Sequence, residues 1–177
     1  PGKNTQLRPS YSQGYRAPQI YDEDLHIETS GSRQVIHIDA PDLKQEMSHS
    51  WMASADINTR IGTVYTGFLI EGFYTKLVHP FVNIYKPADE NGTVLFTRTN
   101  AESGAFVRGV NLEIKLKPTK KITLTSGFTL QTSEFKVPQD DFNEKRFYRT
   151  PGQYGFFMLD WDIGKNFRFS STGNYTG

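Results

Sequence analysis

The residues able to do chemistry are dispersed along the chain. Four histidines, His26, His37, His49 and His79, stand far apart, whereas a zinc site needs several imidazole, thiolate or carboxylate ligands converging on one point. There is no cysteine, which excludes disulfides and thiolate metal sites and leaves the redox compartment unread. A lone strand or loop histidine is usually structural or solvated, and His37-Ile38-Asp39, next to a long polar connection, is a minor candidate for ligand contact. Asp22-Glu23-Asp24 and Asp140-Asp141 offer the carboxylates that calcium takes, but they fall in segments expected to be outer loops and read first as solvated charge. Serine and threonine are frequent, yet none has the partnered His and Asp that would activate a hydroxyl. Carboxylate pairs at recurring positions, as glycoside hydrolysis requires, are also missing. The expectation is a chain with no catalytic residue, no resident metal and no cofactor.

Composition narrows the remaining classes. Lysine and arginine total 20 against 19 acidic residues, a formal charge of +1. That balance gives no footprint for nucleic acid, which calls for a basic excess on one face. Aromatics make up 14% of the chain, as 13 Phe, 9 Tyr and 2 Trp, and there are 15 Gly. Mean hydropathy is nevertheless −0.55, and no apolar run approaches the roughly 20 residues of a membrane helix. Many aromatics with modest hydrophobicity suit alternating strands.

Period two is the clearest signal. From Phe106 to Lys117 the even positions are apolar except Arg108, and most odd ones are polar or small. Ile122, Leu124, Phe128 and Leu130 then share one side, with Thr123, Thr125, Thr129 and Gln131 on the other. The polar turn Lys117-Pro118-Thr119-Lys120-Lys121 makes this pair a hairpin. Phe157, Leu159, Trp161 and Ile163 alternate with Met158, Asp160 and Asp162, and a turn at Gly164-Lys165-Asn166 leads into Phe167 to Tyr175. Earlier, His49, Trp51, Ala53, Ala55 and Ile57 oppose Ser48, Ser50, Ser54 and Asp56, turning at Asn58-Thr59-Arg60 into Thr63 to Leu77, where both faces carry aromatics. With Gln6 to Gln13 this gives an antiparallel up-and-down meander of about seven strands. Pro18 to Leu25 is the lone helix candidate, short and acidic.

The connections alternate in length. Turns of about three to five residues fall near Asn58, Thr119 and Lys165, whereas Tyr15 to Met47, Val82 to about Thr93 and Phe135 to Gly152 are long and rich in Pro, Asp, Glu and Asn. Such loops are uncommon in compact soluble domains; short turns at one end and long loops at the other are the plan of an outer-membrane barrel. Phe106, Phe128, Phe135, Tyr154, Phe156, Phe167 and Tyr175 are expected near strand ends, where aromatics meet headgroups. Arg108 is anomalous on a lipid-facing side unless it snorkels to the interface. On alternation alone, a soluble β-sandwich or small ligand-binding barrel, with one face on a core and one in water, is the favoured reading; the loop asymmetry and the aromatic load bring the two readings to parity.

Several stretches go further. Leu7-Arg8-Pro9-Ser10-Tyr11-Ser12-Gln13-Gly14-Tyr15-Arg16-Ala17-Pro18 resembles the "Y-S-x-G-F-R-A-P" segment of TonB-dependent receptors, especially the Bacteroidetes type. Tyr21-Asp22-Glu23-Asp24-Leu25-His26 is similar to that subgroup's "fDEDLH". Ala40-Pro41-Asp42-Leu43-Lys44-Gln45-Glu46-Met47-Ser48 resembles "N-P-D-L-K-P-E-x-S", departing at Ala40, where Asn is usual, and at Gln45, where Pro is usual. Gly72-Phe73-Tyr74-Thr75 looks like "a-F-Y-T", Asn100-Ala101 to Glu113 like "N-a…G-v-E-L-E", Arg149-Thr150-Pro151 with Tyr154-Gly155 like "R-T-P-x-x-Y-G", and Gly173 to Gly177 like "G-x-Y-T-G". No one motif is very specific; their shared order across nearly the whole chain is what carries the resemblance.

The resemblance implies that residues 1–177 are part of a transmembrane β-barrel of 22 strands around a plug domain. Pro1 and Gly177 do not look like natural termini, so the chain reads as a fragment of the C-terminal half of that barrel, with plug and remaining strands outside it. The implied setting is the bacterial outer membrane, and the implied partners are outer-membrane lipid, the receptor's own plug, the TonB complex and a transported small molecule. Gly14, Tyr15, Arg16, Ala17, Pro18, Pro41, Asp42, Leu43 and Glu46 are the expected structural motif residues. Pro18 is expected to end its strand, and Arg16 to pair with an acid in the loop or rim.

Overall fold

The computed structural model describes residues 4–18, 35–90, 92–101, 103–139, 143–147, 150–164 and 166–177. Its elements are β1 (Thr5–Arg16), β2 (Val35–Asp39), β3 (Glu46–Ile61), β4 (Val64–Val78), β5 (Phe81–Tyr85), β6 (Val94–Asn100), β7 (Ala105–Thr119), β8 (Ile122–Gln139), β9 (Glu144–Arg146), β10 (Gln153–Asp162) and β11 (Arg168–Thr176). Seven of them form one sheet in the order β1-β3-β4-β7-β8-β10-β11, and β9 pairs with β8. Every neighbouring pair in this wall is antiparallel. The architecture is all-β and meanders up and down, as the alternation requires. Among the described residues no helix is long and apolar enough to cross a membrane, which says nothing of crossing by strands.

Register converts each strand's period of two into two continuous faces. One carries, strand by strand, Ala55, Ile70, Leu112 and Phe128 in a single cross-strand row, with Ile57, Phe68 and Ile114 in the next. The other carries Ser54, Glu71, Asn111 and Thr129 in one row and Ser50, Thr75, Val107 and Ser133 in another. We call these the outward and inward faces.

Neither face is covered by the described residues. Among the described residues the buried apolar ones are Ala101 and Ala105, while Ile70, Leu112, Phe128, Leu130, Phe157 and Trp161 are all more than a third exposed. A sandwich or small closed barrel buries its apolar face against a second layer, so the soluble alternative lacks the core it requires.

The β3–β4 turn is Gly62-Thr63, with Gly62 at φ 62°. Lys120-Lys121 joins β7 to β8, where a register shift between Leu116 and Thr119 accommodates Pro118, which has no N–H for the ladder. A third short connection, at residues 163–167, joins β10 to β11. All three lie at one end of the wall; the long connections lie at the other.

Those long connections hold more structure than their composition suggests. Val35–Asp39 pairs in parallel with Val94–Asn100, and Phe81–Tyr85 runs antiparallel to the same strand, giving a three-stranded sheet β2-β6-β5 drawn from two different connections. Most of the expected helix Pro18 to Leu25 falls outside the described residues, as do His26, Asp22 to Asp24, Asp140-Asp141 and Arg149.

Three expectations need correction. Asn58, Thr59 and Arg60 do not turn: they pair with Gly67, Thr66 and Tyr65 in the ladder, and the chain reverses later, at Gly62-Thr63. Phe135, Tyr154 and Phe156 register with Ala105, Thr129 and Gly127 and so stand on the inward face rather than in an interfacial girdle. Phe128 sits at mid-height, beside Leu112, not at a strand end. Inward aromatics are accommodated by glycine: a Cβ on Gly127 would lie 2.4 Å from the Phe156 ring.

Candidate functional site: the rim and the two faces

At the end bearing the long connections, β1 and β3 meet in a clamp. Gly14 faces inward opposite Ser48, and a Cβ there would come within 3.0 Å of Ser48 Oγ. Tyr15 points outward beside Met47 and is 76% exposed. Arg16 Nη2 lies 3.4 Å from Glu46 Oε2, and the same carboxylate oxygen accepts a hydrogen bond from Phe81 N at 2.9 Å. The Arg16 guanidinium also stacks over the Phe81 ring, 4.6 Å from its centroid, with Arg98 5.9 Å away. Glu46 thereby ties the top of the wall to the first residue of β5. Ala17 and Pro18 continue from β1 exposed and without regular structure.

Beyond the clamp the chain turns through Ala40-Pro41-Asp42-Leu43, closed by Leu43 N donating to Ala40 O at 3.0 Å. Pro41 occupies the second position, where its fixed φ suits a turn; Ala40 in the first position supplies no side-chain acceptor of the kind Asn would. Asn100 then knits the segments together. Its Oδ1 accepts from Lys44 N at 2.7 Å, and its Nδ2 donates to Lys44 O at 2.9 Å and to His79 O at 2.7 Å. His79 holds φ 51° to present that carbonyl. Gly104, at φ +71°, closes the connection back into β7, where a Cβ would lie 2.7 Å from Leu77 O; both values explain why glycine occupies it.

The inward face carries a polar ladder. Asn111 Nδ2 donates to Glu71 Oε1 at 2.9 Å, and Thr129 Oγ1 donates to Asn111 Oδ1 at 2.9 Å. Nearer the short turns, Arg8 pairs with Asp56 at 3.0 Å, and Asn58 bridges Asp56 and the Tyr65 hydroxyl. On the outward face an aromatic row crosses the strands near the rim. Tyr11 and Trp51 are 5.4 Å apart, Trp51 and Tyr74 5.9 Å, Tyr74 and Phe106 6.4 Å, and Tyr11 OH meets His49 Nδ1 at 2.8 Å. Arg108 belongs to this face: it registers with Tyr74, and its guanidinium lies 5.2 Å over the Phe106 ring.

The histidines are not brought together. His49 lies on the outward face of β3, His79 at the top of β4, and His37 in β2. Among the described residues no group of three metal-ligating side chains converges. Phe81, Arg98 and the Glu71–Asn111–Thr129 ladder carry no local sequence signal, since each joins positions tens of residues apart; only the Asn100-Ala101 motif hinted at a fixed role. What the arrangement can do is hold: it anchors long connections above a two-faced wall.

A two-faced antiparallel wall, covered on neither side by the described residues and capped by loops at one end, is the geometry of an outer-membrane barrel segment. The family model for the β-barrel of TonB-dependent-receptor-like proteins matches residues 1–177, and the chain belongs to that family. It is a family of receptors and transporters rather than enzymes, its setting is the outer membrane, and its members in general bind a ligand, a plug and TonB. Among solved structures, the siderophore receptor PirA from Pseudomonas aeruginosa matches with a TM-score of 0.64 at 15% identity, covering 99% of this chain and 32% of that one. This chain thus spans about a third of that receptor's length. No curated protein matches by sequence.

Proposed function

We propose that this chain is a wall segment of an outer-membrane receptor that imports a scarce nutrient by energy drawn from the TonB complex. The observation that carries this reading is the pair of faces, apolar outward and largely polar inward, that no described residue covers. The outward face meets lipid. The inward face, with its hydrogen-bonded Glu71–Asn111–Thr129 ladder, faces a hydrated lumen and the plug domain contributed by the rest of the receptor.

In this reading the family motif works as scaffold. Arg16, Glu46 and the Pro41-Asp42-Leu43 turn hold the sheet β2-β6-β5 over the mouth, while Gly14 lets β1 and β3 close on each other. Tyr15 lies at the outer interface, and Ala17-Pro18 releases the chain from the ladder. The cargo is an iron chelate, haem, a corrinoid or a glycan. PirA is a siderophore receptor, which puts an iron chelate first among assays. Deleting the gene and supplying each nutrient class as sole source tests the reading. Loss of growth on one class, restored by the intact gene but not by one lacking the TonB-contacting segment, is expected; unimpaired growth on all of them would overturn it.

A further inference from the structure

We propose that the outward face binds an anionic, phosphate-bearing lipid, its headgroup on Lys76 and Arg108 and its acyl chains in two grooves directly below. The proposal rests on the reading of this face as the one that meets lipid.

Register sets the layout. Tyr11, Trp51, Tyr74 and Arg108 form one outward row, and beneath the three aromatics stand Pro9, Ala53 and Gly72. Large rings above small residues leave a hollow of about 860 Å³, bounded by Trp51, Tyr74 and Arg108 above and by Val110 and Leu130 below. Its depth depends on Gly72, where a Cβ would meet nothing within 4 Å. A second hollow of about 400 Å³ lies farther toward the short turns, among Ala55, Phe68, Ile70, Ile114 and Phe128. Together they descend the wall from the aromatic row toward mid-height, along the course an acyl chain would take.

Charge marks the upper end. Lys76 is exposed and stands on the outward face opposite Phe106 and diagonal to Arg108, two residues along the same strand as Phe106. Among the described residues neither cation is in an ion pair; Arg108 rests on the Phe106 ring. Glu134, across Phe106 from Lys76, is the one carboxylate on the described outward face of the wall, and it registers with Arg146 of β9. Two unpaired cations at the top of an apolar face are costly unless they reach the headgroup level and an anion. A lipid phosphate meets both needs, and the hollows match its tails.

Trp51 lines the upper hollow and reports on it. The full-length protein, in phosphatidylcholine vesicles, would be exposed to acyl-brominated phosphatidylglycerol or to equally brominated phosphatidylcholine, taking the Trp51 signal as the difference from Trp51→Phe. The anionic lipid is expected to quench Trp51 more strongly at equal fraction. That preference should fall roughly thirtyfold in Lys76→Ala/Arg108→Ala, at about fivefold per basic residue near a membrane surface. Gly72→Leu, which the open space admits without disturbing the wall, should reduce quenching by both lipids while leaving the cations in place. Equal quenching by the two lipids, a preference unchanged in the double variant, or no effect of Gly72→Leu would overturn the site. Absence of quenching by either lipid would instead overturn the outward assignment on which it rests.

Discussion

Asn111 and Leu112 are adjacent in sequence and belong to different solvents. Leu112 sits in the outward row with Ile70 and Phe128, while Asn111 is hydrogen-bonded between Glu71 and Thr129 on the inward side. Arginine at a lipid-facing mid-wall position costs about 2–4 kcal/mol, so Leu112→Arg should lower the unfolding free energy of the full-length protein in lipid by that amount. Asn111→Arg loses two hydrogen bonds but keeps water within reach, and should cost no more than about 1–2 kcal/mol. Urea titration in vesicles checks both, and equal costs would deny the two faces different solvents. Arg108 fits the same logic from the other side, tolerated outward because it lies near the rim over Phe106.

At the scale of the element, the rim clamp couples wall to loops through one carboxylate. Glu46 serves Arg16 and Phe81 N at once, and its side chain is largely shielded whereas that of Arg16 is more than half exposed. Solvent screening therefore discounts the ion pair, and the backbone hydrogen bond to a charged acceptor carries most of the coupling. Glu46→Ala should loosen β5 and β6 by about 1–2 kcal/mol and leave the wall strands intact. Limited proteolysis would then cut within residues 81–100 several times faster, with no new cuts in β3 or β4; cuts spreading through the wall would mean the carboxylate holds the fold rather than the loops. Gly104→Ala, forced to adopt φ +71° against Leu77 O, should cost about 1–3 kcal/mol and show in the same assay.

The wall strands were legible because each carries its own alternation: Phe106 to Lys117 announces β7 with no reference to its neighbours. The sheet β2-β6-β5 was not. Its strands are short, come from two connections, and pair in parallel across dozens of residues, so no local pattern marks them. Phe135, Tyr154 and Phe156 differ for another reason. An aromatic near a strand end signals an interface only if its parity is outward, and the alternation of their own strands, Ile122 to Leu130 and Phe157 to Trp161, already puts these three on the polar side. Arg16 and Glu46 stand in family-like motifs, but Phe81, the third member of the clamp, sits in a short loop strand with no pattern of its own.

For the whole molecule the decisive fact is what is missing between the faces. Strands β1 and β11 pair on one side each among the described residues, and an apolar face left open with two free edges would associate in water. Closure by further strands, with lipid outside and a plug within, resolves both, and that arrangement is the core of the functional reading. It is testable strand by strand, since the chain has no cysteine of its own and single nitroxide labels can be placed cleanly. Labels at each position from Val107 to Leu116, in the full-length protein reconstituted in lipid, would be relaxed by dissolved oxygen, which enriches in hydrocarbon, and by a water-soluble nickel complex. Oxygen maxima at Val110, Leu112 and Ile114 with nickel maxima at Asn111, Glu113 and Lys115 are the expected result. Two profiles that rise and fall together, or nickel reaching Leu112 as readily as Asn111, would contradict a wall between lipid and lumen.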